Sequence, residues 1–360
     1  MRLTRTLFVA AIAVASLAGP CMGQWTVTHL HPPGATSSTL QGIAGSQQVG
    51  TVNSLAALWN GSANSWVSLH PAGTPGSSAT ATDGTQQVGY VDAGPFPEFP
   101  RAALWSGTAS WVNLNPANAT QSVAMAIHGG QQVGNARVGG VQRASLWSGS
   151  AASWVDLSPV GSPDSAARGV RSGVQVGFVR LSGEGGVGRA SLWTGTAASR
   201  VDLHPAGSTF SSAEDVYENS QAGYAIFAGV TMASLWHGSA ASWVNLHPDG
   251  ASESSAVAAF QDFQAGFARF NGIDRAGIWS GTEGSWEDLS AYLGPGWGRS
   301  FATGIWSDGT TLTVCGSADN LLSGHREAVT WSRPVPSPGG FLAVVIGGLW
   351  CSSRKRTTRE

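Results

Sequence analysis

Between Ser122 and Leu157 the chain alternates short apolar-polar runs with glycine-bearing turns: SVAMAI, the turn HGG, QQVGNARV, then RASLW, the hinge SGSAAS and finally WVDL. Runs of this length, with period-two alternation and tight Gly turns, predict four antiparallel β-strands joined by hairpins. We label them A to D. Side chains alternate across a strand, so one face of the C–D hairpin carries Ala144, Leu146, Val155 and Leu157, and the other Ser145, Trp147, Trp154 and Asp156. Apolar residues on both faces fit a sheet packed on both sides.

The pattern repeats. Trp59, Trp105, Trp147, Trp193, Trp236, Trp279 and Trp331 mark successive C strands, at spacings of 46, 42, 46, 43, 43 and 52 residues. Periods near 40–45 residues built from short strands predict propeller blades, with strand A at the axis and D at the rim. Sets of A, B and C strands begin near Ser38, Ser78, Ser122, Ser165, Ser212, Ser255 and Ser300. After Trp331 the chain runs into SRPVPSP, so the seventh set has no D strand of its own. WTVTHLHP, Trp25 to Pro32, has the D pattern with no C strand before it, and is expected to complete the last blade. That pairing removes two exposed sheet edges.

Blades splay outward, so the gap between them widens from A to D. The A strands are small-residue segments such as SSATAT and SSAVAA, and the tryptophans lie in the wide outer half. Filling that wedge to interior density requires bulk, so the paired tryptophans are read as frame, not as a sugar-stacking platform. Arg200, which replaces Trp in the fourth copy, is expected to lay its guanidinium on the neighbouring indole. The hinge SGTAS (106–110), one residue short, is expected to force a bulge.

Composition adds the compartment. Residues 1–23, with Arg2 and Arg5 ahead of an apolar run from Leu7 to Ala18 and small residues before Gly23, read as a signal peptide. The repeat domain spans 24–333. Residues 334–360 hold a proline-rich spacer, an apolar run from Phe341 to Cys351 and the cluster Arg354, Lys355, Arg356 and Arg359, a short transmembrane-type helix with basic residues beyond it. Removing Arg2, Arg5, the four basic tail residues and Glu360 from 19 basic and 21 acidic residues leaves 13 and 20 in the body, a net charge near −7. Such a surface repels phosphate backbones, and no nucleic-acid partner is expected. Cys315 stands alone in the body, so the fold must rest on packing without a disulfide.

The unit QQVGNARVGGVQRASLW…WVDL resembles the HAF-type extracellular repeat: Arg143–Trp147 stands where that family has His-Ala-Phe-Leu-Trp, and Val155–Leu157 corresponds to its Asp-Leu-Gly ending, with Ser158-Pro159 in place of the glycine. The tail resembles the PEP-CTERM sorting signal through Val335, Pro336, Ser337 and Pro338, the apolar run and the basic cluster, with Ser337 in place of the usual glutamate. These resemblances imply an exported protein, transiently membrane-anchored by its C-terminal segment, processed by an exosortase-type enzyme, and found at the cell surface or outside the cell with exopolysaccharide.

Chemistry is sparse. His31, His70, His204 and His247 recur in LHP phrases but fall in different blades, too far apart to share one zinc ion, and are read as D-strand terminators before proline. GEGGVG (183–188) has no helix after it to hold a phosphate. No nucleophile elbow, Walker loop or HExxH occurs. No cofactor or metal is expected. The expected site is the face of D–A and B–C loops, where three B–C loops are enlarged (91–101, 181–189 and 317–327). Phe96 and Phe99 with Glu98 between them, and Asp164, Glu253 and Arg299 near the axis, are the candidate binding residues. The expectation is a non-catalytic propeller binding glycan or surface protein; the alternative is a propeller enzyme of lyase or glycoside hydrolase type, which would need two carboxylates ~5–9.5 Å apart.

Overall fold

The computed structural model describes residues 24–93, 99–183 and 185–335; the signal segment and the tail from Pro336 onward, with Pro336, Ser337 and Pro338 of the sorting motif, lie outside the described residues. Among the described residues no helix is long and apolar enough to cross a membrane. The chain is all-β, and its strands form seven four-stranded antiparallel sets, of which sheets 3 and 4 are joined by a single parallel bridge, Gln142 to Asp164. Sheet 3 is typical: A is Ala119–His128, B Gln131–Val138, C Val141–Trp147 and D Val155–Asp156. Sheet 7 takes A, B and C from Trp297–Ser307, Thr311–Asn320 and Arg326–Pro334, and its D strand is the N-terminal Thr26–His29. Val27 pairs with Trp331 there, antiparallel. The A strands contact one another in order, and the last returns to the first: Thr303 Oγ1 of sheet 7 donates to the Leu40 carbonyl of sheet 1 at 2.8 Å.

Each sheet is shaped by the same local devices. Strand A carries a bulge at the same place in every copy, for example between Ala124 and Ala126 or between Ala213 and Asp215. Opposite it strand B holds a glycine, Gly134 in sheet 3, where an added Cβ would lie 1.9 Å from the Val123 carbonyl oxygen. Only glycine lets the bulged strand come that close. Two residues before that glycine on the same strand, a buried glutamine reaches the C–D hinge: Gln132 Oε1 accepts from Gly149 N at 2.7 Å, and five other sheets repeat the bond. Six-residue hinges close with a 3₁₀ turn such as Ala151–Ser153. The shorter hinge 106–110 does not produce the expected bulge. It drops the 3₁₀ turn, and Trp105 stays in register with Trp111.

The core lies between sheets and consists of seven apolar clusters. In each, one C-strand tryptophan rests on the preceding sheet: Trp147 packs on Leu104 and Leu114 of sheet 2, and Trp331 on Ile278 and Leu289 of sheet 6. All seven of these indoles are fully buried. At ~25 cal/mol per Å² and 150–250 Å² per ring, each contributes about 4–6 kcal/mol of burial. At the second tryptophan's place, Trp154 and Trp243 are half-buried and bonded to their own sheets, Trp154 Nε1 to Ser145 Oγ at 2.8 Å and Trp243 Nε1 to Ser234 Oγ at 2.9 Å, whereas Trp66 is exposed. Arg200 takes that place without stacking on the indole. Its Nε donates to Ser191 Oγ at 2.9 Å, and its Nη2 lies 3.2 Å from Asp202, because the serine and the carboxylate are the nearer acceptors.

A second contact crosses every interface. The backbone N–H of one C-strand alanine donates to a fully or almost fully buried serine in the first half of strand A of the next sheet: Ala56 to Ser77, Ala102 to Ser122, Ala144 to Ser165, Ala190 to Ser211, Ala233 to Ser254 and Ala276 to Ser300, all at 2.9–3.0 Å. Ala328 to Ser38, 2.9 Å, closes the circle. Trp147→Ala removes the wedge alone, and urea denaturation should show a loss of about 3–5 kcal/mol. Ser165→Ala leaves the Ala144 N–H buried without an acceptor; the same measurement should show a loss of about 1–3 kcal/mol, and an unchanged midpoint would deny the contact any weight.

Candidate functional site

The histidines of the LHP phrases belong to this inter-sheet contact. His31, His70, His204 and His247 each place Nδ1 within 2.7–2.9 Å of the clamp serine seven residues later. Nε2 of His31, His204 and His247 faces the carbonyl of Ala35, Ser208 and Ala251 and must carry the hydrogen, so Nδ1 accepts from the serine hydroxyl. Asn115 and Ser158 fill the same place in two other sheets. Among the described residues no group of His, Cys, Asp and Glu is arranged to hold a metal ion.

The loop-face candidates are scattered. Asp164, first residue of its A strand, lies 3.6 Å from Arg180 of its own sheet. Glu253 pairs with Arg269, which also bonds the buried Asp274 at 2.7 Å. Arg299 pairs with Asp319 at 3.2 Å. Phe99 opens its C strand and is exposed, whereas Phe96 and Glu98 lie outside the described residues. The structure therefore ties each described charged candidate to its own sheet and gathers none of them into a shared pocket.

The cavity that the fold does build is axial and lies toward the other face, at the A–B turns. It encloses about 280 Å³ and is lined by the bulged halves of the A strands. Where strand A gives way to the turn, sheets 2, 3, 4, 6 and 7 contribute Asp83, His128, Arg171, Phe260 and Trp306 to the lining, with Ala44 on sheet 1; Tyr217, the matching residue of sheet 5, packs against Arg171 and Phe260 behind it. At this level polar chemistry thus occupies sheets 2 to 4, and aromatic rings sheets 6 and 7. Tyr217 and Phe260 lie 4.8 Å apart, and the Arg171 guanidinium sits 4.0 Å above the Tyr217 ring. Deeper in, Arg168 Nε faces Glu214 at 3.9 Å.

Asp215 stands at the bulge, where the other six sheets have Gly42, Ala81, Ala126, Gly169, Ala258 and Gly304. Those positions are small because the next A strand is in contact; a Cβ on Gly169 would come within 2.8 Å of Asp215 Cα. The carboxylate is enclosed by protein and accepts from Val216 N at 2.8 Å and Ala259 N at 2.9 Å, joining sheets 5 and 6. Burial pushes its pKa up to about 6, against the pull of those N–H groups and of Arg171. Burial and Arg171 together lower His128, keeping the imidazole neutral. Burial works against Asp83, but the N–H groups of Gln86 and Thr85 and the Thr85 hydroxyl outweigh it and hold the carboxyl below its usual range. Cys315 is no nucleophile: burial raises its thiol to about 12.

Sequence reasoning passed over this ring because the A strands read as small-residue filler. The signal was there in the repeat itself. Two residues after the bulge the copies carry seven different residues, Ala44, Asp83, His128, Arg171, Tyr217, Phe260 and Trp306, while the strand-B glycine is the same in every copy.

No family model and no curated protein matches the chain. Among solved structures, a Mycobacterium tuberculosis puromycin-hydrolyzing peptidase is similar at 14% identity and a TM-score of 0.52, with 84% of this chain and 55% of that chain covered. A puromycin hydrolase mutant complexed with PGG gives 12% identity and a TM-score of 0.50, over 84% of this chain and 56% of the other. The chain thus spans little more than half the length of either protein. These are propeller-type structures, and at such identity the likeness shows the fold alone: this chain is propeller-like.

Because Asp215 titrates higher folded than unfolded, the stability it contributes is complete below pH ~4 and is lost as pH rises through about 6. At ~1.4 kcal/mol per pKa unit the swing is about 3 kcal/mol. Denaturation at pH 4 and pH 7.5 should therefore show Asp215→Ala losing more stability at pH 4 by about that amount; equal losses would mean that the carboxyl titrates normally.

Proposed function

We propose that this chain is an exported seven-bladed β-propeller, closed by its N-terminal strand and held at the cell surface or in the extracellular matrix, that binds glycan and does no chemistry on it. Export and sorting rest on the signal-like residues 1–23 and the PEP-CTERM-like tail from Val335. The observation that carries the binding role is the axial ring, where a uniform repeat turns into an acid, an imidazole, a guanidinium and the aromatic rings of Phe260 and Trp306 around one cavity. This favours the A–B face over the D–A and B–C loops, whose candidate charges are held in ion pairs within their own sheets.

Polysaccharide cleavage is the competing role, and Asp215, with its raised pKa, is what favours it. Against it, both Asp215 oxygens accept main-chain N–H groups, Glu214 is engaged by Ser212 and Arg168, and Asp83 Oδ1 takes three bonds from its own turn. No carboxyl is left poised to give or take a proton across the cavity. The full chain, screened against polysaccharides for both binding and turnover, should bind without cleaving. Trp306→Ala should weaken that binding at least about tenfold, a loss of ~1.4 kcal/mol, with an unchanged melting temperature. Release of new chain ends, or loss of binding in Arg299→Ala in place of Trp306→Ala, would overturn the assignment.

A further inference from the structure

The charges around the axial mouth are unequally committed. Asp215, Glu214 and Asp83 each accept hydrogen bonds from the protein. Arg171 makes no hydrogen bond or ion pair with any described residue; its guanidinium is held flat over Tyr217, with the Phe260 ring 5.7 Å away. A guanidinium oriented by aromatic faces keeps its N–H fork available, and that fork matches a carboxylate in geometry and charge. The uncommitted character of the mouth is therefore a donor for an anion. An ammonium group would find every facing carboxylate already engaged.

Size and the opposite wall narrow the ligand. At ~30 Å³ per water the cavity has room for about nine waters, enough for one sugar unit. Trp306 and Phe260 offer apolar surface on which a pyranose ring can lie. Resting on the assignment of the axial mouth as the binding site, we propose that it takes a uronate unit, the sugar carboxylate on the Arg171 fork and the ring against Trp306 and Phe260. Nothing is transferred and no bond is broken.

The charged and titratable groups lining this position are Asp83, His128, Arg168, Arg171, Glu214 and Asp215, with Tyr217 packed against the Arg171 guanidinium. A carboxylate bound among them favours protonation of Asp215 and His128, so binding takes up protons. Affinity should accordingly rise as pH falls from 7.5 to 5.5.

Calorimetric titration of the full chain with D-glucuronate, D-glucose, sodium acetate and inorganic sulfate tests this. Glucuronate should bind at least about tenfold more tightly than the other three, and more tightly at pH 5.5 than at pH 7.5. Arg171→Gln should bring it down to the level of glucose, and Arg171→Lys, which keeps the charge without the fork, should fall between. If Arg171→Gln melts early, Arg171→Lys carries the test. Equal affinity for glucose or sulfate, or full glucuronate binding by a folded Arg171→Gln or Arg171→Lys, would overturn the proposal. Should neutral saccharides bind and lose affinity in Trp306→Ala while glucuronate shows no preference, the axial site stands and its uronate specificity falls. If no saccharide binds, both fall.

Discussion

The structure hangs on a serine hydroxyl placed between adjacent sheets. Each clamp serine accepts the N–H of an alanine in the sheet before it, and in three interfaces it donates its own hydrogen to a histidine of the same D–A loop. A buried C-strand N–H would otherwise face the next sheet with no partner, a cost that would be repeated at every interface. With the body cysteine Cys315 buried and free, no covalent link substitutes for these contacts among the described residues. Tryptophan wedges supply most of the burial, but burial is not directional. The hydrogen bond fixes how far one sheet slides on the next, and so whether seven of them close.

A frame defined this tightly is what makes the axis usable. The bulge in strand A, the glycine opposite it and the closed circle of A strands hold the axial side chains at set positions, so the ring from Asp83 to Trp306 needs little rearrangement to be a site. Rigidity also explains the sequence economy. The strand-B glycine, the clamp alanine and serine and the C-strand tryptophan are each required by a contact that every sheet repeats, and the glutamine by one that six repeat. Chemical variety appears where the repeat imposes no such contact.

Much of this was legible in the chain. The Trp59-to-Trp331 ruler marks the seven sheets, and the D-like pattern of Trp25–Pro32 foretells its pairing with the last C strand, because periodicity and strand alternation are local properties. The role of His31, His70, His204 and His247 was half legible. Proline after histidine suggested strand ends, whereas the clamp follows from a serine seven residues on, a spacing that acquires meaning once the D–A loop is known to cross to the next sheet. The axial ring was not legible. Arg171, Tyr217 and Phe260 come from three different copies, and their meeting is a product of how successive A strands pack side by side, which no local pattern encodes. Arg200 was misjudged because Ser191 and Asp202 outcompete an indole face for a guanidinium.

Hydrogen exchange at the seven alanine amides of the clamps addresses the central claim most directly. Ala56, Ala102, Ala144, Ala190, Ala233, Ala276 and Ala328 all donate to buried serines, and Ala328 does so at the interface that the N-terminal strand closes. If the clamps make one cooperative ring, all seven amides exchange at the slow rate of global unfolding. Fast exchange at Ala328 with the other six protected would mean that the circle opens at its seam, and the ring would then not be the single unit described.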